Sequence, residues 1–165
     1  MKHSAFSLIE LMISIALCAL VVALLVVNVS FLNRGIVRSE IDKLYSVCMY
    51  LQQCALTTHQ EHELTFDTKN NTYRFAGKTE TLRFPVEFGF PCNVKGPPST
   101  PRKKIFSAVT FKGGKILFYP EGIISSGTVY LTDRNKTVLY ALSSGIAHVS
   151  HLRKYSYTDK WNLLP

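Results

Sequence analysis

The densest set of metal-ligating side chains in this 165-residue chain is the run His59-Gln60-Glu61-His62-Glu63. It falls where a helical pattern gives out, and solvated polar residues are expected at such a boundary. His148 and His151 lie three apart on an expected strand, so they point to opposite faces and cannot chelate together. The four cysteines, Cys18, Cys48, Cys54 and Cys92, lack the CxxC spacing of a zinc knuckle or a redox motif. Cys48 and Cys54 sit roughly 240° apart around a helix and cannot easily bridge, whereas either could reach Cys92. Buried free thiols are the simpler reading. There is no nucleophile elbow, P-loop or dinucleotide fingerprint, and Ser125, Ser126, Ser143 and Ser144 fall in expected turns. Neither catalysis, nor a metal site, nor a cofactor is expected.

Charge is more informative. Residues 95–165 carry 11 Lys and Arg against 3 Asp and Glu, which is the whole of the +8 excess. Two patches stand out: Arg102, Lys103 and Lys104 in a Pro-rich loop, and Arg153, Lys154 and Lys160 interleaved with Tyr155, Tyr157 and Trp161. Cations alternating with rings suit single-stranded nucleic acid, where phosphates meet Lys or Arg and bases stack on aromatics. A charged, mobile chain end accounts for the same pattern.

The other informative charge is Glu10, the one acid among the first 33 residues. It stands near the start of an uncharged run that extends to Asn33, with neither Gly nor Pro between residues 11 and 27. About 20 such residues at 1.5 Å each span the ~30 Å hydrocarbon core, so a single membrane helix is expected. A cleaved secretory signal fits poorly, because its apolar region is only about 7 to 15 residues long. A lipoprotein reading of Cys18 also fails, since the bulky Leu17 precedes it. An ionised carboxylate at membrane depth costs several kcal/mol, at about the level where a partner cation becomes necessary. Either Glu10 stays at the lipid interface, favoured by the helix dipole, or another chain supplies that cation.

The start of the chain, Lys2-His3-Ser4-Ala5 followed by Phe6-Ser7-Leu8-Ile9-Glu10-Leu11-Met12, resembles the signature of type IV prepilins and pseudopilins. The resemblance implies cleavage by a prepilin peptidase between Ala5 and Phe6 and N-methylation of Phe6. It further implies that Glu10 pairs with the Phe6 amine of a neighbouring subunit during assembly. Two features depart from the usual pattern: Ala5 stands where most members have Gly, and the proline common partway along the helix is absent, with Val27 and Asn28 in that region. Charge bias does not fix the topology, since Lys2 and His3 face Arg34, Arg38 and Lys43 across the run. The motif does. It implies a cytoplasmic leader, a single pass through a bacterial inner membrane and a periplasmic C-terminal domain.

Beyond the apolar run, Val37, Ile41, Leu44, Cys48, Leu51 and Ala55 recur at steps of four and three, the stripe of an amphipathic helix. Gly35 interrupts the helix at its junction, at a cost of about 1 kcal/mol relative to Ala. After His62 the period changes to alternation. Strands are expected at 64–66 and 72–75 as a hairpin, then at 82–84, 86–90, 106–111, 115–119, 128–132, 137–143 and 146–151, with a loop over 95–104. The fold class is therefore α+β, a long N-terminal helix packed on an antiparallel sheet domain. The expected organisation is a leader at 1–5, a transmembrane and assembly helix at 6–33, its amphipathic continuation at 34–62, a β-rich periplasmic domain at 63–152 and a basic aromatic tail at 153–165.

This layout is similar to one branch of the family, the GspH/FimT-type minor pseudopilins. Phe118-Tyr119-Pro120-Glu121-Gly122 matches the branch's F-x-P-x-G turn, Gly127-Thr128-Val129-Tyr130-Leu131 its G-T strand start, and Gly145-Ile146-Ala147 its final Gly-containing strand. The resemblance implies a minor pseudopilin of a type II secretion pseudopilus, with other pilin subunits, the prepilin peptidase and an inner-membrane assembly platform as partners. The alternative is a minor pilin of a type IV pilus that binds DNA for uptake, as one FimT-type subgroup does through a basic C-terminal region. The DNA contacts would then be Arg102, Lys103, Lys104, Arg153, Lys154 and Lys160. A one-pass membrane protein with an unrelated exported domain is the third reading, and it requires an unprocessed leader.

Overall fold

The structure, a computed structural model, describes residues 8–100, 102–145 and 151–165, without the side chains of 24–31. The chain divides into two compact units, Met1–Leu32 and Asn33–Pro165. The described part of the first is purely helical and belongs to α1, which is assigned over Leu8–Thr58. Its large apolar side chains, from Leu8 and Ile9 to Val21 and Val22, are all more than half exposed. Among the described residues no helix is long and apolar enough to cross a membrane. The run expected to do so lies partly outside them, since its described side chains stop at Ala23 and resume at Leu32.

In the second unit, the stripe read from the sequence is the helical half of the core. Val37, Ile41, Leu44, Cys48, Leu51 and Ala55 are each 1% exposed or less. Burying each of the larger ones contributes on the order of 1.5–3 kcal/mol. The helix runs through Gly35 without interruption, and a side chain at that position would meet nothing within 4 Å.

Two antiparallel sheets complete the unit. The first is formed by β1 (His62–Asp67), β2 (Thr72–Phe75), β3 (Lys78–Thr81) and β5 (Lys115–Phe118), in the order β3-β2-β1-β5. The second is formed by β4 (Val86–Phe88), β6 (Gly127–Asp133), β7 (Leu139–Ser144), β8 (Leu152–Tyr157) and β9 (Trp161–Leu163), in the order β4-β6-β7-β8-β9. The fold is α+β, a helix packed on antiparallel sheets. Leu64, Ile116 and Phe118 from the first sheet and Val129, Leu131 and Leu142 from the second join the helix stripe in one apolar cluster.

The turns obey local chemistry. Asp67 ends β1 by accepting hydrogen bonds from the backbone amides of Lys69 and Asn70 at 3.0 and 3.2 Å and from the Asn70 side chain at 2.7 Å. The Asn70 side-chain bond is the main reason its carboxyl titrates below the usual carboxylate range. Between β2 and β3, Ala76 and Gly77 both have positive φ, 46° and 75°, the two-residue hairpin geometry that suits strand twist. Between β6 and β7, the fully buried Asp133 accepts from Thr137 N, Thr137 Oγ1 and Val138 N at 2.7–2.8 Å.

Three expectations differ from the structure. The strand expected at 82–84 is displaced to Lys78–Thr81, because the tight turn at Ala76–Gly77 sends the chain back at once. The strand expected at 106–111 forms only a single bridge, Val109 to Val129. There the Ser107 hydroxyl donates to Val109 O at 2.8 Å and accepts from Val109 N at 3.3 Å, a local turn that competes with a ladder. The stretch read as a basic aromatic tail is a hairpin: all of β8 pairs with β7, and β9 closes on β8. The strand expected at 146–151 falls outside the described residues except for His151, and so does most of Gly145-Ile146-Ala147.

Candidate functional site

Ala5 and Phe6, the cleavage and methylation positions, lie outside the described residues. Glu10 lies in the first turn of α1 and its side chain is exposed. The Ser14 hydroxyl donates to the Glu10 carbonyl at 2.8 Å, one turn along the same helix. A carboxylate in a first helical turn is stabilised by the positive end of the helix dipole. The Leu and Ile side chains around it are left outward, so this segment presents an apolar surface carrying one acid.

Two of the three motifs that resemble that branch have structural explanations. In the turn after β5, Tyr119 N donates to Ile123 O and Gly122 N to Tyr119 O, both at 2.9 Å, and Gly122 takes a positive φ of 81°. Gln52 on α1 donates from Nε2 to Gly122 O at 3.1 Å, which fastens the turn to the helix. Gly127 starts β6 beneath Phe111. A Cβ there would lie 2.5 Å from the Phe111 ring and 2.9 Å from its Cα. Glycine is required by that close approach.

The candidate DNA-contacting cations separate into two groups. Arg102, Lys103, Lys104, Arg153 and Lys160 are exposed. Lys154 is not free in the same sense: its ammonium donates to Asp42 Oδ1 at 2.7 Å, lies 5.1 Å from the centre of the Tyr45 ring, and is 17% exposed. It bonds β8 to α1 across 112 positions of sequence. The difference follows from the pleat. Lys154 sits opposite Leu142 on the helix-facing side, while Arg153 is opposite Ser143 on the other.

The aromatics of the C-terminal hairpin are also engaged. Trp161 packs against Tyr157, Tyr130 and Tyr155, with ring centres 5.0, 6.0 and 6.4 Å away. Its indole N–H donates to Gly96 O at 2.7 Å, and Lys95 N donates to the Tyr157 hydroxyl at 3.2 Å. The Pro-rich loop is thereby strapped across the sheet face opposite the helix. Tyr130, Leu139 and Ala141 form a second small core there, with Phe90, Val94 and Ile105 packed on it. Burial pushes the Tyr130 hydroxyl up to about 12. Sequence reading missed this core, since its members come from five separate stretches.

All four cysteines are free thiols. Cys48 is buried, which raises its pKa far above the ordinary range, Cys54 is half-buried, and Cys92 and Cys18 are exposed. Among the described residues no three His, Cys, Asp or Glu side chains gather as a metal site.

No curated protein and no solved structure matches the chain. One family pattern does, the prokaryotic N-terminal methylation motif, over residues 1–26. That span contains both the Phe6-to-Met12 signature and Glu10, and the domain behind it is a helix packed on antiparallel sheets. The chain therefore bears, over residues 1–26, the methylation motif that is the type IV pilin and pseudopilin signature.

Proposed function

We propose that the chain is a minor pseudopilin of the GspH/FimT type, a structural subunit of a type II secretion pseudopilus without catalytic activity of its own. The observation that carries the proposal is the methylation motif at residues 1–26. Prepilin peptidase removes residues 1–5, Phe6 becomes the methylated terminus, and the apolar helix holds the subunit in the inner membrane with its domain in the periplasm. The assembly platform then extracts it, and Glu10 meets the Phe6 amine of an adjacent subunit. That pairing offsets the several kcal/mol that a carboxylate costs in hydrocarbon. The branch assignment is supported by the Gly122 turn bound to Gln52 and by Gly127 beneath Phe111.

Mass spectrometry of the protein from its native membrane tests the class directly. The expected terminus is N-methylated Phe6, and a chain still beginning at Met1 overturns the proposal. Replacing Glu10 by Gln or Val is expected to abolish incorporation into the filament while leaving processing intact.

The second reading, a type IV minor pilin that captures DNA, is favoured by the exposed cations Arg102, Lys103, Lys104, Arg153 and Lys160. Lys154 contributes little to it, because its charge already serves Asp42. DNA retention that falls steeply with salt, and is lost when Arg153 and Lys160 are changed to Gln, would favour DNA capture over secretion.

A further inference from the structure

We propose that the end of the domain where α1 enters it is a lipid-docking surface, which lays the domain against anionic phospholipid headgroups of the same membrane that holds its N-terminal helix. The proposal rests on the membrane-anchored reading of that helix.

Several separate segments converge at this end. A cleft joins Arg34 on α1 to Lys136 and Thr137 in the β6–β7 turn and to Thr158 and Asp159 in the β8–β9 turn. Arg38, one turn along from Arg34, acts with it on Tyr140 through space. Val86 pairs with Asp133, and Arg134 N donates to Pro85 O at 3.0 Å, so the segment holding Arg83 and Phe84 sits against the β6–β7 turn. Arg34, Arg38, Arg83, Arg134 and Lys136 are all exposed. The acids at this end do little to cancel them. Asp133 is fully buried and bonded to the turn it closes, Asp42, which also acts on Tyr140, is paired with Lys154, and Asp159 remains in the cleft.

Phe84 adds the second ingredient. It is 75% exposed amid these cations, with its ring unburied by the fold. An aromatic side chain surrounded by Arg and Lys suits the bilayer interface, where the ring sits at headgroup level and the cations meet phosphates. The chain itself puts the two together. Arg34 is the first charged residue after the uncharged run that ends at Asn33, so when that run spans the bilayer Arg34 emerges at the headgroup layer. Charge complementarity and this covalent continuity both point to the anionic bilayer surface.

The test uses the full chain carrying Phe84→Trp, reconstituted into vesicles of phosphatidylcholine with or without phosphatidylglycerol and with brominated acyl chains. The parent protein contains a single tryptophan, Trp161, so the difference between the two proteins reports on position 84. Bromolipid is expected to quench the new emission strongly in anionic vesicles and weakly in neutral ones, with the quenching reversed by 0.5 M salt, where the screening distance falls to roughly half its physiological value. Changing Arg134 and Lys136 to Gln is expected to weaken docking about fivefold per cation. Flotation of the same vesicles at high salt separates the failures. A chain that does not float overturns both the anchor and the docking surface. A chain that floats with position 84 unquenched in either lipid overturns the docking surface alone. Shielding of position 84 that grows with the protein-to-lipid ratio and ignores lipid charge also overturns it, and assigns the surface to a second copy of the chain.

Discussion

The two faces of the five-stranded sheet are built from the same strands by different means. On the helix side, Val129, Leu131 and Leu142 are 0% exposed and meet an aliphatic stripe of α1. On the other side, Tyr155 and Tyr157 meet Trp161 edge-on and Tyr130 meets it at a tilt, beneath a loop held by three hydrogen bonds to the hairpin. The first face is held by a rigid helix and tolerates little loss of volume. The second is held by an irregular strap, and its rings are half-buried apart from Tyr130. The inner face should therefore govern global stability, and the outer face should govern how firmly the basic loop is fixed.

The sharpest way to break that contrast is to hollow the inner face. Leu44→Ala should cost about 2–5 kcal/mol, the range for a buried leucine whose site collapses only partly. Urea unfolding of the detergent-solubilised chain, followed through Trp161 emission, measures it. A cost below that of an outer-face substitution would reverse the ranking. Gly127→Ala comes next, at about 1–3 kcal/mol, because the new methyl has to displace Phe111 at both its ring and its Cα.

Alkaline titration sharpens the outer face. Burial holds the Tyr130 hydroxyl near 12, above its ordinary 10, so the folded state keeps a proton that the unfolded chain releases first. Its contribution is fully present below pH 10 and is lost as pH rises from 10 through 12, by roughly 3 kcal/mol in all. Tyr130→Phe should flatten this loss in unfolding curves taken at pH 9 and 11. The smallest effect belongs to the ion pair that ties β8 to α1 on the inner face. Lys154→Met should cost no more than about 1 kcal/mol, since Asp42 is 45% exposed and water screens the pair. A double-mutant cycle with Asp42→Asn isolates that coupling.

The same contrast explains what could be read from the sequence. The stripe from Val37 to Ala55 lies on one helix, where a step of three or four residues is a direct record of geometry, and all six of its members are buried. The β1–β2 hairpin was visible because alternation and turn chemistry are adjacent in the chain. β3 was missed because Lys78, Thr79, Glu80 and Thr81 bury nothing and so leave no hydrophobic pattern. The aromatic core was missed for the opposite reason: Phe90, Tyr130 and Trp161 are apolar enough, but their meeting depends on strand order, which no local spacing encodes. Lys154 reads as a surface cation until its register with Leu142 is known. At the candidate assembly motif the sequence was more informative, since the signature and Glu10 are contiguous and needed no tertiary structure to find.

The polar character of β3 has one more implication. It forms the outer rim of its sheet, with Lys78 and Glu80 along it and Glu80 bonded to Lys43 at 2.9 Å. A rim that alternates charges is a poor template for backbone pairing by another molecule. In the proposed filament, where subunits stand side by side, such a rim guards against runaway sheet extension and leaves contact between neighbours to surfaces that can be released.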